Sequence, residues 1–85
     1  MDADFLLIRR MKRGEEDAFD AFVRSYYPDI LKYCYYHGPR SCGEDLTQET
    51  FIRFFQSLSG YRHLGKAKNY LYTIAANLCK DAYKK

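Results

Sequence analysis

An all-α fold, a compact bundle of about four helices, is predicted by two features of the sequence. Apolar residues recur at helical spacing through most of the chain, and the periodic stretches are separated by short breaks rich in glycine. Alternating strand patterns are nearly absent. With 85 residues the chain makes one domain, residues 1–85, and a core this small depends on large side chains. Six Phe and nine Tyr supply them.

Asp2 or Asp4 can cap a first helix that runs to about Lys12, with Phe5, Leu6, Ile8 and Met11 as its apolar face and Gly14 as its stop. Glu15, Glu16 and Asp17 complement the N-terminal dipole of a second helix. Its face continues through Ala18, Phe19, Phe22, Tyr26, Ile30, Tyr33, Cys34 and His37. Pro28 falls inside that pattern. Because the apolar face stays in phase on both sides of it, the expectation is one helix kinked at the proline. Residues 38–43 form a loop, and Ser41 with Glu44 three places later has the form of a capping box for the third helix, with Asp45 as the competing cap.

The third helix carries Leu46, Phe51, Phe54, Phe55 and Leu58 on one face and Asp45, Gln48, Glu49, Ile52 and Gln56 on the other. One face can pack while the other meets a partner. A second loop follows, from Ser57 to Gly65. The last helix repeats Ala67, Leu71, Ile74, Ala75, Leu78 and Ala82, beside a polar stripe of Asn69, Thr73, Ala76, Asn77, Lys80 and Lys84.

Charge is divided unevenly. Residues 1–60 hold eight Lys or Arg against ten Asp or Glu, whereas residues 61–85 hold six against one, so the net charge of +3 arises from the second segment. Basic residues interleaved with Tyr61, Tyr70, Tyr72 and Tyr83 suit a nucleic-acid surface, where cations neutralise phosphate and aromatic faces stack on unpaired bases. A solvated, lysine-rich helix face is the bland alternative.

Catalytic signatures are missing. There is no nucleophile elbow, phosphate-binding glycine loop or His-Glu-x-x-His, and Asp45 with Glu49 reads as part of a recognition surface beside Gln48 and Arg53. An enzyme is not expected, nor a cofactor. Cys34, Cys42 and Cys79 are odd in number, which suits reduced thiols. Zinc ligation by Cys34, His37 and Cys42 with Cys79 or His63 lacks the paired ligand steps of zinc modules, so no metal is expected. The run Phe5-Leu6-Leu7-Ile8 is too short to span a bilayer, and acidic residues precede it, so a cytoplasmic location without membrane insertion is expected.

The ordered series Glu44-Asp45-Leu46-Thr47-Gln48-Glu49-Thr50-Phe51, then Leu58 and Tyr61-Arg62, then Tyr70-Leu71-Tyr72-Thr73-Ile74-Ala75-Ala76-Asn77-Leu78 and Asp81, resembles the second conserved region of bacterial RNA polymerase sigma factors of the extracytoplasmic-function type. Arg13-Gly14 through Asp17-Ala18-Phe19, with Tyr26, Tyr27 and Pro28, extends the likeness over nearly the whole chain. Where the family usually has Trp and Arg in its last helix this chain has Tyr70 and Thr73, which keeps an aromatic ring and loses a guanidinium. His63-Leu64-Gly65 stands where the family often shows Gly followed by an acidic residue. Family members also carry a helix-turn-helix domain, for which residues 1–85 hold no sequence.

The resemblance implies a non-enzymatic specificity subunit. It would dock on the clamp helices of the largest subunit of RNA polymerase core through Asp45, Gln48, Glu49, Ile52 and Gln56, and would help to open promoter DNA at the minus-ten element. Tyr61, Arg62 and Asn77 would meet an unstacked base, Lys66, Lys68, Lys80 and Lys84 would meet phosphates, and Asn69 and Thr73 share the DNA-facing stripe. An anti-sigma factor is a further partner of such proteins. A degenerate sigma-like module that binds a regulator in place of DNA is the alternative.

Overall fold

The computed structural model describes residues 3–62 and 65–84. Among them are four α-helices: α1 (Ala3–Lys12), α2 (Glu16–His37), α3 (Gly43–Gln56) and α4 (Ala67–Tyr83). Short 3-10 turns at Arg40–Cys42 and Leu58–Gly60 flank α3, and no strand occurs among the described residues. The 22 residues of α2 span about 33 Å at 1.5 Å per residue, which accounts for most of the 36 Å long axis of the molecule. Each of the other three helices packs against α2, and α3 also packs against α4.

Two of the breaks have clear physical causes. Gly14 takes φ of 82°, a left-handed conformation that an L side chain resists, and its N–H donates to the Met11 carbonyl while that of Glu15 donates to Arg10. α2 ends at Gly38, whose N–H still reaches the Cys34 carbonyl before Pro39 prevents continuation. Pro28 lies within α2 without dividing it, as the phase of the apolar face predicted.

The interior is an aromatic cluster. Phe22 and Phe54, both fully buried, stack at 4.9 Å between ring centroids and 27°. Phe19 meets Phe55 edge-on at 4.9 Å, and Tyr27 stacks on Phe51 at 6.1 Å. Ile8 and Met11 attach α1 to this cluster, Ile30 and Cys34 extend it along α2, and Ala67, Leu71, Ala75 and Cys79 close it from α4.

Several details depart from the sequence reading. Leu6 is 59% exposed and Leu7 packs on the core in its place, because Ile8 and Met11 fix the phase of α1 and turn Leu6 outward. His37 is exposed, with its ring 4.2 Å from that of Tyr33, so the apolar face of α2 ends at Cys34. The capping box does not form. α3 begins at Gly43 with no side-chain cap, because the 3-10 turn runs straight into it and the Gly43 N–H donates to Arg40. Asp45 lies inside the first turn of α3. Asp4 lies inside α1 and accepts a hydrogen bond from the Tyr26 hydroxyl, while Asp2 lies outside the described residues.

A candidate interface on α3 and α4

On α3 the residues opposite the core are held outward by what the other face buries. Phe51 and Phe54 point inward together with Thr47 and Thr50, which are fully buried. Each threonine is satisfied within its own helix: the Thr47 hydroxyl donates to the Gly43 carbonyl and that of Thr50 to Leu46, both at 2.7 Å. That inward face leaves Asp45, Gln48, Ile52 and Gln56 exposed and Glu49 half-buried. Ile52 is 47% exposed, an apolar side chain in the middle of a polar face. Glu49 accepts from Arg53 Nε at 3.1 Å, one turn along α3. This is a surface pair, weak enough to be exchanged for a partner's cation.

α4 carries the second set. Asn69, Thr73, Asn77, Lys80 and Lys84 are all exposed, in the stripe that the helical period predicts. The Thr73 hydroxyl donates back to the Asn69 carbonyl at 3.0 Å, so its donor is committed to its own helix. Lys68 differs from the other lysines. Its Nζ lies 3.0 Å from Asp29 Oδ2 on α2, and this contact raises the pKa of the ammonium, the hydrogen bond first and the opposite charge second.

Between the two helices, Leu58–Gly60 turns the chain and Tyr61 enters the aromatic cluster. The Tyr61 ring stacks on Tyr70 at 5.4 Å and 18° and lies 5.3 Å from Phe54. The Tyr70 hydroxyl donates to Ser57 Oγ at 3.0 Å, and Lys12 Nζ donates to the Tyr61 carbonyl at 2.6 Å. Tyr61 is accordingly half-buried and clamped from α1 and α4, whereas Arg62 and Lys66 are exposed. His63 and Leu64 lie outside the described residues.

Sequence reasoning missed Thr47 and Thr50, polar residues that the apolar pattern skips, whereas the reading of the cysteines as buried or half-buried thiols holds, with Cys79 2% exposed and facing Cys34. Burial pushes the Cys79 thiol up to about 11, with Cys34 adding to the effect. All three cysteines are free thiols. Among the described residues there is no group of three or more His, Cys, Asp and Glu that could hold a metal ion, and no helix is long and apolar enough to cross a membrane.

A four-helix domain with an acidic and amide-rich face on α3 and a basic stripe on α4 is the class of fold these features define. The chain belongs to the sigma-70 region 2 family, whose model matches residues 22–85. It is 36% identical over 80 residues to the ECF RNA polymerase sigma factor BldN of Streptomyces coelicolor, an alignment covering 92% of this chain and 30% of that protein. With the ECF RNA polymerase sigma factor SigW of Bacillus subtilis it shares 35% identity over 79 residues, covering 92% of this chain and 42% of that one. The ECF RNA polymerase sigma-E factor of Escherichia coli is 28% identical over 78 residues, which are 92% of this chain and 41% of that protein. The chain therefore spans less than half the length of these relatives. No solved structure matches it.

Proposed function

We propose that this chain is the promoter-specificity domain of an extracytoplasmic-function sigma factor: it docks on RNA polymerase core and recognises and helps to melt the minus-ten element, without catalysing a reaction itself. The observation that carries this reading is the exposure of two chemically different faces on the adjacent helices α3 and α4. The α3 face, with Asp45, Gln48, Glu49, Ile52 and Gln56, suits a helical partner of basic and apolar character, which the clamp helices of the largest polymerase subunit would provide.

The α4 stripe meets DNA. Lys80 and Lys84 lie on the phosphate path, Asn77 one turn earlier offers an amide to a base edge, and Asn69 and Thr73 continue the stripe towards the loop. Arg62 and Lys66, both exposed, extend the positive surface on either side of the loop that carries Tyr61. With Tyr70 stacked against it, Tyr61 presents to an extruded base a ring whose position is already fixed, which lowers the ordering cost of capture. Lys68 contributes to the DNA surface only when it leaves Asp29. An anti-sigma factor would act by covering either face, and the domain would work in the cytoplasm, where polymerase and promoter are.

Binding titrations of the purified chain with core polymerase, and separately with a single strand of minus-ten type, test this reading. Saturable binding of both is expected, with the DNA affinity falling as salt rises. Binding of neither, in protein that remains helical, would favour the regulator-binding module.

A further inference from the structure

An open groove of about 590 Å3 runs between α3 and α4. Leu46 and Leu78 form its apolar lining, Asp45 and Glu49 rise on the α3 side, and Asp81 rises on the α4 side beside Ala82. Asp81 lies between the buried Leu78 and the stripe, one helical turn from Asn77 and Lys84, and so borders the groove on the flank of α4 nearest α3. On α4 the lysine stripe is thus bordered, on the groove side, by a single carboxylate. The groove brings together three carboxylates and one guanidinium, and Arg53 is already paired with Glu49. Its leucine lining separates it from an ordinary patch of solvated acids.

We infer that the polymerase-docking surface is not confined to α3 but is this whole groove, with Asp81 and Ala82 of α4 forming its second wall and the occupant a basic, amphipathic helix of the polymerase. The inference rests on the proposed docking of α3. The chemistry favours that occupant for two reasons. A helix laid in a groove inserts apolar side chains spaced three and four residues apart, which Leu46 and Leu78 receive, and its flanking Lys or Arg residues meet carboxylates on both sides. Nucleic acid is disfavoured in the same place, because phosphates would face three carboxylates. Asp81 then acts as a divider. It repels DNA from the groove side of α4, leaving the strand to the lysine flank, and draws the polymerase helix to the other.

The test measures the affinity of the intact chain for core polymerase, without DNA, for wild type and four variants whose helicity is verified by circular dichroism. Glu49→Lys reports on the α3 reading. Asp81→Lys and Ala82→Trp report on the α4 wall, the first by charge and the second by filling the groove. Asp20→Lys, an exposed carboxylate on α2 outside the groove, makes the same change in net charge.

Asp81→Lys is expected to weaken binding about three- to ten-fold at low salt and progressively less as salt rises. Ala82→Trp is expected to weaken it at every salt concentration, while Asp20→Lys stays near wild type. If Glu49→Lys loses affinity but either α4 variant binds as wild type, the second wall is refuted and docking on α3 stands. If Glu49→Lys itself binds as wild type, the α3 reading fails and the groove proposal fails with it. An Asp20→Lys loss equal to that of Asp81→Lys would reduce the effect to net charge and also overturn the proposal.

Discussion

Lys68 Nζ lies 3.0 Å from Asp29 Oδ2, so the first turn of α4 is tied to the middle of α2 through a residue that charge alone would assign to DNA. Both side chains are half exposed, and the pair is accessible to water and salt. A phosphate competing for Lys68 must displace Asp29, whereas Lys80 and Lys84 need no exchange of that pair.

Asp29→Asn is therefore expected to release Lys68 and to strengthen single-strand binding, and Lys68→Ala in the Asp29→Asn background should abolish the gain. A gel-shift or fluorescence-anisotropy titration of the single and double variants checks this. Equal affinities for wild type and Asp29→Asn would mean that the ion pair does not compete with DNA.

Phe54 joins the core to the loop. Its ring touches Phe22 on one side and lies 5.3 Å from Tyr61 and 5.6 Å from Tyr70 on the other. Phe54→Ala should lower unfolding stability by about 3–5 kcal/mol, a large part of what a small domain has. Urea denaturation followed by circular dichroism measures the loss. A change below about 1 kcal/mol would mean that this ring is not the packing centre described here.

Gly38 is buried at the end of α2 with a backbone conformation open to any residue, so the constraint on it is space. A Cβ there would lie 2.7 Å from Leu46 Cδ1, 3.0 Å from the Cys34 carbonyl oxygen and 3.1 Å from Cys79 Sγ. Gly38→Ala should destabilise the domain by about 1–3 kcal/mol through overpacking. Gly60→Ala, where a Cβ would meet nothing within 4 Å, is the matched control and should change the thermal midpoint little. Similar midpoints for the two variants would contradict the crowding at Gly38.

The cysteines should divide by burial. Cys42 is half-buried, whereas Cys34 and Cys79 are within the core. At pH 8 iodoacetamide should label Cys42 first, and the other two should react only as the chain unfolds. The Cys79 thiol, raised to about 11 in the folded state, holds its proton more tightly there than in the unfolded chain. Its contribution to stability is complete below the ordinary thiol range, about 8.5, and is lost as pH rises from there to about 11. A Cys79→Ala variant should lose less stability across that interval than wild type does. Equal alkaline losses would place the titrating group elsewhere.

What the sequence made readable was periodicity. The faces of α3 and α4, the extent of α2 through Pro28 and the breaks at Gly14 and Gly38 all follow from local rules, and the structure has them. The misses needed three dimensions. Thr47 and Thr50 look polar in sequence, yet a hydroxyl bonded to the preceding turn can be buried without loss. Leu6 and Leu7 are adjacent leucines, and only the packing of Ile8 and Met11 decides which one turns inward. The capping box failed because a 3-10 turn supplied backbone partners before the Ser41 side chain could. The Asp29 partner of Lys68 and the groove position of Asp81 depend on contacts between helices, which a one-dimensional pattern does not encode.

The central claim, that the α4 stripe is a DNA surface with separate phosphate-binding and base-reading parts, is tested most directly by a salt titration. Wild type, the double variant Lys80→Ala/Lys84→Ala and Asn77→Ala are each titrated against a minus-ten-like single strand and a scrambled strand. The lysine variant should weaken binding to both strands alike and lower the log–log salt slope by roughly one to two units, as expected for up to two lost phosphate contacts. Asn77→Ala should leave the slope in place and lose discrimination between the strands, by about 1–3 kcal/mol for a base contact removed. An unchanged slope in the lysine variant, together with an equal loss on both strands for Asn77→Ala, would assign the stripe to solvent and contradict the account.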